Sequence, residues 1–501
     1  MTSIANKIFL IKLEPDYQSY KIAPPFGILY LAAALEKAGY PVKLFHCRGT
    51  PRNIKRIVDE IIQSSPLLVG FSSLTGEALL PSLAASTELK KRSSIPIVWG
   101  GLHATMLPEQ TLRNDNIDFI VHGEGEVTLV ELAERINRGE LLPGSFRDIK
   151  GLGHKDRGKI VINPVRPFIT NLDAYIPAWH HFDIEDYFYK GRQFYSEFGS
   201  SLPGDKIAAL ITSRGCPSRC GYCYNQFVNK RHFRAHSAEH VIRDVETLKK
   251  DHDISAVIFE DDNFFSDRER ALKIVREINI PWSATIRADY VAKWGSDFVR
   301  TLKENLCVEL RIGAESGSQK VLDIMRKDIT LSDIRKTSEL CRTFDLPALT
   351  NFMVGIPGET WEDDLQTFSL MDELEEKGNI VNGPTIFLPY PGTPLYTLAV
   401  EKGFVTPRDI TEWGKNWGPT QPRTPFVDRR ARFAGYYRVL ALRKEEKNLK
   451  IPYFTRILKR IAKKRWEKRY FLFPLDYYIP RFFLRLLQSL KLKKIARMMY
   501  D

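Results

Sequence analysis

The first part of the chain alternates short apolar runs with longer segments in which apolar residues recur at helical spacing. The apolar runs are residues 8–13, 42–45, 67–71, 97–99 and 119–121. Residues 27–37 show the helical spacing. Short runs without polar interruptions are typical of parallel strands that are covered by helices on both faces. The pattern predicts a doubly wound, Rossmann-like α/β sheet of about five strands over residues 1–140.

The same alternation returns further along the chain, over residues 205–420. The predicted strands there are residues 207–211, 256–259, 282–286, 308–312, 348–353 and 385–388. Segments of helical spacing separate them, for example 239–250, 289–303 and 362–375. A second parallel α/β domain is therefore expected, with its functional groups at the carboxyl ends of the strands.

Neither periodicity covers residues 141–204, where glycines and prolines interrupt the chain. We interpret this stretch as a linker between the two domains. An aromatic and acidic segment at residues 180–189 either lines a shared cleft or anchors a solvated linker. His180 and His181 are adjacent in it, and the sequence alone does not indicate a metal site for them.

Composition places the chain among globular proteins of two or three domains. It has 501 residues, of which 43% are hydrophobic and 27% charged. The first residues do not read as a signal peptide, and no apolar run reaches the roughly 18 residues of a membrane-spanning helix. Three of the six cysteines are clustered, which favours metal binding in a reducing compartment. A cytoplasmic location is expected.

Positive charge is concentrated in the C-terminal region, residues 421–501. Residues 429–501 contain 22 Lys and Arg against 5 Asp and Glu, so they carry +17 and leave −4 for the rest of a chain of net charge +13. A nucleic-acid partner is therefore not expected. Residues 453–466 and 481–494 alternate basic residues with an apolar stripe at helical spacing. Such helices either bind the anionic inner face of a membrane peripherally or pack their stripe on the preceding domain.

The strongest chemical signal is a cysteine cluster just after the first predicted strand of the second domain. Cys216, Cys220 and Cys223 are spaced Cys-x3-Cys-x2-Cys. Three thiolates fill three irons of a [4Fe–4S] cluster and leave the fourth iron open to a small molecule. A structural zinc site usually needs four ligands. His232 and His236 lie downstream, so zinc stays open as an alternative.

With Tyr222 before its last cysteine, this motif resembles the signature of the radical S-adenosylmethionine family. The resemblance implies that the open iron chelates S-adenosylmethionine. One electron, from a donor such as flavodoxin or ferredoxin, then cleaves it to methionine and a 5′-deoxyadenosyl radical. The resemblance also implies that the six strand–helix units form a partial (β/α)6 barrel.

Polar and small residues follow the strands of the predicted barrel, where the resemblance implies contacts with S-adenosylmethionine. Asp261 and Asp262 follow the second strand and would bind the ammonium group of its methionine part. Glu315 and Ser316 follow the fourth strand and would face the ribose. Gly355 begins a turn after the fifth strand, where the backbone would lie against adenine.

Small residues also follow the strands of the first predicted sheet. The candidates for ligand binding there are Ser72, Ser73, Gly100, Gly101, His103, Gly123, Glu124, Gly125, Glu126 and Thr128. Glycines let a large ligand approach the backbone, although a Gly-Gly pair after a strand can also be only a tight turn. As a set, these stretches resemble the cobalamin-binding domain that precedes many radical S-adenosylmethionine domains. That resemblance implies that the loops hold the corrin ring and the nucleotide tail.

One departure from that family concerns the cobalt ligand. Many cobalamin domains carry Asp-x-His-x-x-Gly, in which the histidine ligates cobalt from below. In the matching stretch His46 stands in place of the aspartate, and Arg48 stands in place of the histidine. We therefore do not expect a lower histidine ligand, and we interpret His46 as a polar residue at a strand end. A contact of His103 with the corrin and a simple loop hydrogen bond stay open.

Together the two resemblances imply an enzyme that uses a [4Fe–4S] cluster, S-adenosylmethionine and cobalamin. The first hypothesis is transfer of a methyl group to an unactivated carbon of a small molecule, with a lipid or other hydrophobic substrate as one option. The second is radical oxidative cyclisation, as in the anaerobic cyclase of chlorophyll synthesis. The third is a cobalamin carrier or sensor without catalysis, against which the intact cysteines argue. The substrate itself cannot be read from these motifs.

Overall fold

The computed structural model describes residues 7–16, 22–142, 144–190, 202–417, 424–442, 453–476 and 478. Two sheets built mainly of parallel strands dominate it, and the carboxyl ends of these strands line one cavity. The predicted fold class, a Rossmann-like sheet followed by a partial barrel, is confirmed.

The first sheet begins with five parallel strands, all of which the apolar runs predict. They are β1 (Ile8–Glu14), β2 (Val42–Arg48), β3 (Leu68–Ser72), β4 (Ile97–Gly100) and β5 (Phe119–Val121), in the order β2-β1-β3-β4-β5. The accompanying helices are Phe26–Lys37, Pro51–Ser64, Leu79–Arg92, Leu102–Met106, Pro108–Leu112 and Glu126–Asn137. The strand order reverses between β1 and β3, and such a switch point is where doubly wound sheets bind ligands.

Two further strands extend this sheet into the segment that the sequence predicts as a linker. β6 (Leu152–Asp156) and β7 (Lys159–Ile162) form an antiparallel hairpin, and β6 pairs with β5. Gly153 is one of the glycines that suggested a flexible linker. A Cβ at Gly153 would come within 2.7 Å of Ile120 Cγ1, so this glycine permits close packing instead. The hairpin therefore divides the predicted linker into two irregular stretches, one on either side of it.

The second sheet has six parallel strands in sequence order, as expected for a barrel that stays open. They are β8 (Ile207–Leu210), β11 (Ala256–Phe259), β12 (Trp282–Ile286), β13 (Cys307–Glu315), β14 (Ala348–Val354) and β15 (Ile380–Ile386). A short antiparallel pair, β9 (Ser213–Arg214) and β10 (Arg234–Ala235), flanks the cysteine loop. The helices are Ala238–His252, Arg268–Glu277, Ala288–Glu304, Gln319–Ile324, Leu331–Thr343 and Trp361–Glu376.

The last strand differs from the prediction, which placed it at residues 385–388. β15 begins at Ile380 and pairs with β14 from Leu349 onward. The polar residues Asn379 and Asn382 interrupt the apolar pattern there, so the run that the sequence displays starts too late. Asn382 donates a hydrogen bond to Asn351 on β14, which pairs these polar side chains across the two strands.

After the barrel the chain returns to the first domain. The helices Pro394–Glu401 and Ile410–Asn416 follow β15. Trp413 and Trp417 are buried in the same apolar cluster as Phe71 and Trp99 of the first sheet. This return ties the two domains together through a shared core.

The described part of the basic C-terminal region packs on the barrel. It contains the helices Ala431–Leu442 and Tyr453–Glu467. Ala462 and Trp466 belong to the barrel's apolar cluster, so part of the predicted stripe is covered. The second basic stripe, residues 481–494, lies outside the described residues. Among the helices that the structure describes, none is long and apolar enough to cross a membrane.

Candidate active site

The cysteine loop leaves the barrel at the end of β8 and turns sharply at Gly215. This glycine has φ +86°, and a Cβ there would lie 2.1 Å from the carbonyl oxygen of His232. Only glycine permits this turn. Cys216 and Cys220 are buried and Cys223 is partly exposed, so the loop presents its thiols at the inner edge of the barrel.

The separation of the three sulfurs favours an iron–sulfur cluster over a single zinc ion. Thiolates bound to one tetrahedral zinc at about 2.3 Å lie roughly 3.8 Å from one another. Among the described residues, the groups with three ligand atoms all within 4.8 Å of one another do not include these cysteines. The three sulfurs are thus not gathered as a single zinc ion requires, and their role as ligands to three irons of a [4Fe–4S] cluster stays a prediction.

Two basic residues lie beside the cysteine loop. Arg287, at the end of β12, places Nη1 3.6 Å from Cys220 Sγ and donates from Nη2 to the carbonyl of Lys327. Lys327 donates to Glu315 Oε1 at 2.9 Å and to the Tyr222 hydroxyl at 3.0 Å. Arg287 also pairs with Asp289 at 2.9 Å, so two ion pairs border the cysteine loop and would lie beside a bound cluster.

Lys327 was not identified from the sequence. It lies in a loop after the helix Gln319–Ile324, between two residues of positive φ, Arg326 and Asp328. That loop carries no motif, and only the fold brings it to the cysteines. A single lysine in a loop is too common in sequences to indicate a functional site.

Glu315 reaches the site through unusual backbone geometry. It ends β13 with φ +67°, and its Oε1 accepts from the Tyr222 hydroxyl at 2.9 Å as well as from Lys327. Ser316, the other predicted ribose contact, is fully buried and hydrogen-bonded to Thr367. Both predicted side chains are therefore engaged within the protein, and their contact with ribose stays a prediction.

The structure separates the neighbouring carboxylates Asp261 and Asp262. Asp261 is buried and accepts hydrogen bonds from the backbone and hydroxyl of Thr212 and from the Ser213 hydroxyl. Burial raises the pKa of Asp261 to about 6, although these hydrogen bonds act to lower it. Asp262 is exposed, lines the cavity and accepts from the Tyr224 hydroxyl at 2.9 Å. Asp262 is thus the one of the two that remains available to a ligand.

Gly355 forms a turn after β14, as predicted. Its φ is +82°, and its backbone N–H donates to Glu359. A Cβ at Gly355 would meet Val427 at 2.6 Å, so the segment before the C-terminal helices covers this turn. An adenine contact of Gly355 stays a prediction.

A cavity of about 360 Å³ lies between the carboxyl edges of the two sheets. From the first domain it is lined by Ser72, Gly100, Gly101, Gly123, Glu124, Gly125 and Glu126. From the barrel it is lined by Ser213, Arg214, Gly215, Tyr224, Asn229, Glu260 and Asp262. Seven of the ten residues predicted on the first sheet are therefore brought together at one wall, opposite the cysteine loop.

Gly101 shows why this wall needs small residues. It has φ +91°, and a Cβ would lie 2.7 Å from the carbonyl oxygen of Ser73. Gly123 also has a left-handed φ, of +84°. The exposed backbone that results is what a broad, flat ligand requires for close approach. The first-domain wall therefore fits a corrin ring.

Three predicted residues of the first domain lie outside the cavity lining. Ser73 is buried and donates to Ser82. Thr128 is buried between Lys150 and Arg166. His103 is fully buried, 3.3 Å from the Thr75 hydroxyl and edge-on to Trp413. Burial lowers the pKa of His103 to about 3, so it stays neutral. Each of these side chains holds a loop of the first domain, and direct contact with cobalamin stays a prediction for all three.

An ion-pair network joins the two walls. Arg214, two residues before Cys216, donates to Glu124 at 2.9 Å and to Glu126 at 2.6 Å. Arg234 donates to Glu124 as well. Burial raises the pKa of Glu124, but the two guanidinium groups outweigh it and hold that pKa below its ordinary value. The two glutamates predicted to contact cobalamin therefore also fix the first domain to the cysteine loop.

The described lining of this cavity contains no histidine. His46 points elsewhere: its Nδ1 lies 2.9 Å from the Tyr187 hydroxyl and its Nε2 lies 3.3 Å from Glu14 Oε1. Arg48 donates to the carbonyl of Pro15. The absence of a lower histidine ligand to cobalt stays a prediction.

A second cavity of about 580 Å³ adjoins the first and shares Phe26, Tyr30 and Ile211 with it. Its other walls come from the linker and from the helix Ala238–His252. They are largely apolar and include Ile176, Trp179, Phe182, Ile184, Val241 and Leu248. The aromatic segment of the linker therefore lines an interdomain space, which is one of the two alternatives left open by the sequence.

Comparison with protein families finds two matches. The radical S-adenosylmethionine superfamily matches residues 210–371, and the B12-binding domain family matches residues 18–133. These segments hold the two walls of the first cavity. The match covers the cysteine loop on one side and the glycine-rich strand ends on the other.

Three relatives show how far the sequence similarity extends. An uncharacterized methyltransferase of Pyrococcus horikoshii is 30% identical over 406 residues, covering 79% of this chain and 83% of that protein. Cytidylyl-2-hydroxyethylphosphonate methyltransferase of Streptomyces wedmorensis is 25% identical, covering 77% and 79%. Anaerobic magnesium-protoporphyrin IX monomethyl ester cyclase of Cereibacter sphaeroides is 25% identical, covering 77% and 63%.

A solved structure shares the whole architecture. The radical S-adenosylmethionine methyltransferase TsrM from Kitasatospora setae, with cobalamin and a [4Fe–4S] cluster bound, superposes with a TM-score of 0.64. The superposition covers 93% of this chain and 98% of that one at 16% identity. At this identity the likeness supports the fold and not a shared substrate.

Proposed function

We propose that this chain, which belongs to the cobalamin-dependent radical S-adenosylmethionine enzymes, transfers a methyl group to an unactivated carbon of a small molecule. The observation that carries the proposal is the cavity shared by the two sheet edges. When bound, the cluster with S-adenosylmethionine supplies a hydrogen-abstracting radical and cobalamin supplies a transferable methyl group. One cavity between both binding walls lets a single substrate carbon meet both.

The residues of the chain contribute position and charge. Cys216, Cys220 and Cys223 would hold the cluster, and the glycine edge of the first sheet would hold the corrin. Arg214 keeps these two walls in register through its bonds to Glu124 and Glu126. Holding the reactants at a fixed separation matters for the rate of such a reaction, because a displacement of about 1 Å can lower the rate about 100-fold.

We further propose that the substrate is hydrophobic in part and reaches the first cavity through the second. The apolar and aromatic walls of the second cavity support this, since apolar lining favours apolar ligands. The predicted electron donor and a membrane contact of the basic C-terminal region stay predictions.

The test uses anaerobically purified full-length protein, reconstituted with iron, sulfide and cobalamin and then reduced. S-adenosylmethionine labelled at its methyl group is added together with a small-molecule extract of the source cells. We expect bound cobalamin, 5′-deoxyadenosine and label in a small-molecule product. Extract-dependent 5′-deoxyadenosine without label transfer would contradict methylation and favour oxidative cyclisation. Bound cobalamin without any 5′-deoxyadenosine would favour a carrier or sensor.

A further inference from the structure

We infer that Asp173, His236 and His240 form a binding site for a zinc ion, separate from the cysteine loop. Asp173 lies in a short 3-10 turn of the linker, Leu172–Ala174. The two histidines flank the start of the helix Ala238–His252, one helical turn apart. Two segments that are more than 60 residues apart in sequence thus meet at one point between the domains.

The distances fit one tetrahedral ion. Asp173 Oδ1 lies 3.0 Å from His236 Nδ1 and 3.7 Å from His240 Nδ1, and the three ligand atoms are all within 4.8 Å of one another. Nitrogen and oxygen ligands at about 2.0–2.1 Å from zinc lie roughly 3.3 Å apart. His236 and His240 are 4% and 5% exposed, so both histidines are shielded from bulk water, whereas the Asp173 side chain is 33% exposed.

The outer nitrogen of His236 supplies a second, independent argument. His236 Nε2 lies 3.2 Å from the Tyr30 hydroxyl. His240 Nε2 lies 3.4 Å from Asp244 Oδ2, within ion-pair distance but without a hydrogen bond. Histidines that bind a metal generally direct the other ring nitrogen to a carboxylate or another polar partner, which fixes the ring and its tautomer. Ser237 adds a backbone hydrogen bond to Asp173 at 3.0 Å, which orients the carboxylate.

An ion here would join the linker to the barrel. Through Tyr30, which lines both cavities, it would also steady the first-domain helix that lies over the active site. Histidine and carboxylate ligands without thiolate are compatible with zinc and leave a fourth position for water. With three protein ligands this would be an open zinc site and not a closed structural one, and the ion needs no part in the proposed methyl transfer.

The chain offers a matched control in a second cluster, formed by Glu36, His180 and His181. Both Nε2 atoms there contact Glu36 Oε1, at 3.1 and 2.7 Å. His180 is two-thirds exposed, so this cluster lacks the shielding of the first. A variant of His180 removes a histidine of the same linker without touching the proposed site.

The test is zinc binding by the full-length holoprotein, with cluster and cobalamin in place. Chelator-treated protein is incubated with zinc chloride and desalted, and its metals are counted. We expect one zinc per chain, with zinc-edge X-ray absorption showing nitrogen or oxygen at about 2.0–2.1 Å and no sulfur at about 2.3 Å. Holoprotein that binds no zinc, or zinc with sulfur ligands, would overturn the inference.

Variants locate the ion. His240→Ala and Asp173→Ala should lose the zinc while keeping cluster iron and bound cobalamin, and His180→Ala should keep all three. Asp244→Asn leaves every proposed ligand intact and should weaken zinc binding by about 10- to 100-fold, which keeps the test decisive if His240→Ala does not fold. Stoichiometric zinc in a folded His240→Ala protein, its loss in His180→Ala, or unchanged affinity in Asp244→Asn would each contradict the assignment.

Discussion

The two walls of the cavity are built on opposite principles. The first-domain wall presents backbone, through Gly100, Gly101, Gly123 and Gly125. The barrel edge presents charged side chains. Arg214, Glu260 and Asp262 line the cavity, and Arg287, Arg311, Glu315 and Lys327 belong to the ion pairs around it and around the cysteine loop. A wall of backbone suits a broad ligand held by shape. A wall of charges suits a small ligand whose own charges must be matched.

Several charges of the barrel edge are already paired within the protein, whereas Asp262 accepts from the Tyr224 hydroxyl and faces the cavity. Arg311 donates to Glu260 at 3.0 Å, and Lys327 donates to Glu315 at 2.9 Å. The first wall contributes charge through Glu124 and Glu126, and both pair across the gap with Arg214. We therefore expect removal of one member of an ion pair to destabilise the barrel. We expect an added side chain at a glycine of the first wall to weaken ligand binding there.

The largest effect should follow replacement of a cluster cysteine. In Cys220→Ala one iron of the cluster loses its ligand, so we expect near-complete loss of cluster iron and of 5′-deoxyadenosine formation. Iron and sulfide analysis with a cleavage assay measures both. Cobalamin binding should survive, because the glycine wall is untouched. Cys47→Ala, on β2 and outside the cavity lining, is the control, and full cleavage by Cys220→Ala would show that the ligand assignment is wrong.

A smaller but severe effect should follow removal of the charge that neutralises Glu315. In Lys327→Met the buried carboxylate keeps only the Tyr222 hydroxyl as a donor, and an unpaired buried charge costs about 3–5 kcal/mol. Denaturant unfolding measures the loss. Arg219→Ala breaks an exposed pair with Asp328 close to the same loop and should change stability little. Equal losses in the two variants would mean that burial of the Lys327–Glu315 pair does not matter.

Asp261 should make the free energy of unfolding depend on pH. Its folded-state pKa, about 6, lies above the ordinary value of 3.8, so the folded protein holds this proton where the unfolded chain has released it. Its contribution to stability is present below about pH 4 and is lost as the pH rises to about 6, by at most about 3 kcal/mol. Comparing melting temperatures at these two pH values checks this. Asp261→Asn should flatten the dependence and Asp262→Asn should not; a wild-type slope in Asp261→Asn would refute it.

The smallest predicted effect tests the first wall by adding one methyl group. Gly101→Ala puts a Cβ 2.7 Å from the Ser73 carbonyl oxygen and should shift the loop that lines the cavity. We expect cobalamin to bind at least about tenfold more weakly, which corresponds to about 1.4 kcal/mol. Gly139→Ala also has a left-handed φ, of +69°, but has nothing within 4 Å of the new Cβ. Spectroscopic titration should separate the two variants, and equal affinities would mean that crowding at Gly101 is not what matters.

Much of the fold could be predicted because its signals are local. A buried parallel strand is recognisable as a short apolar run. Ten of the eleven described parallel strands of the two main sheets lie at or next to such a run. The predicted position of β15 was too late in the sequence because polar residues lie near the start of this strand. The hairpin β6–β7 was missed because Gly153, which it needs for close packing, resembles a linker residue.

The candidate site could be predicted only where its residues are close in sequence. Cys216, Cys220 and Cys223 share one loop, and the glycines directly follow their strands, so spacing alone brought them to attention. Asp261 and Asp262 are adjacent, yet the sequence could not tell which of them faces the cavity. That depends on Thr212 and Ser213, which lie on another strand end and capture the first of the two carboxylates.

By itself the sequence determined two parallel α/β domains, a three-cysteine loop and a glycine-rich strand edge, because periodicity and spacing are properties of neighbouring residues. Only the tertiary structure decided that these edges face one another, that Arg214 bridges them, and that Lys327 reaches Glu315. It also brought Asp173 to His236 and His240. These pairings are set by the packing of whole elements, which positions side chains across distances that no local pattern records.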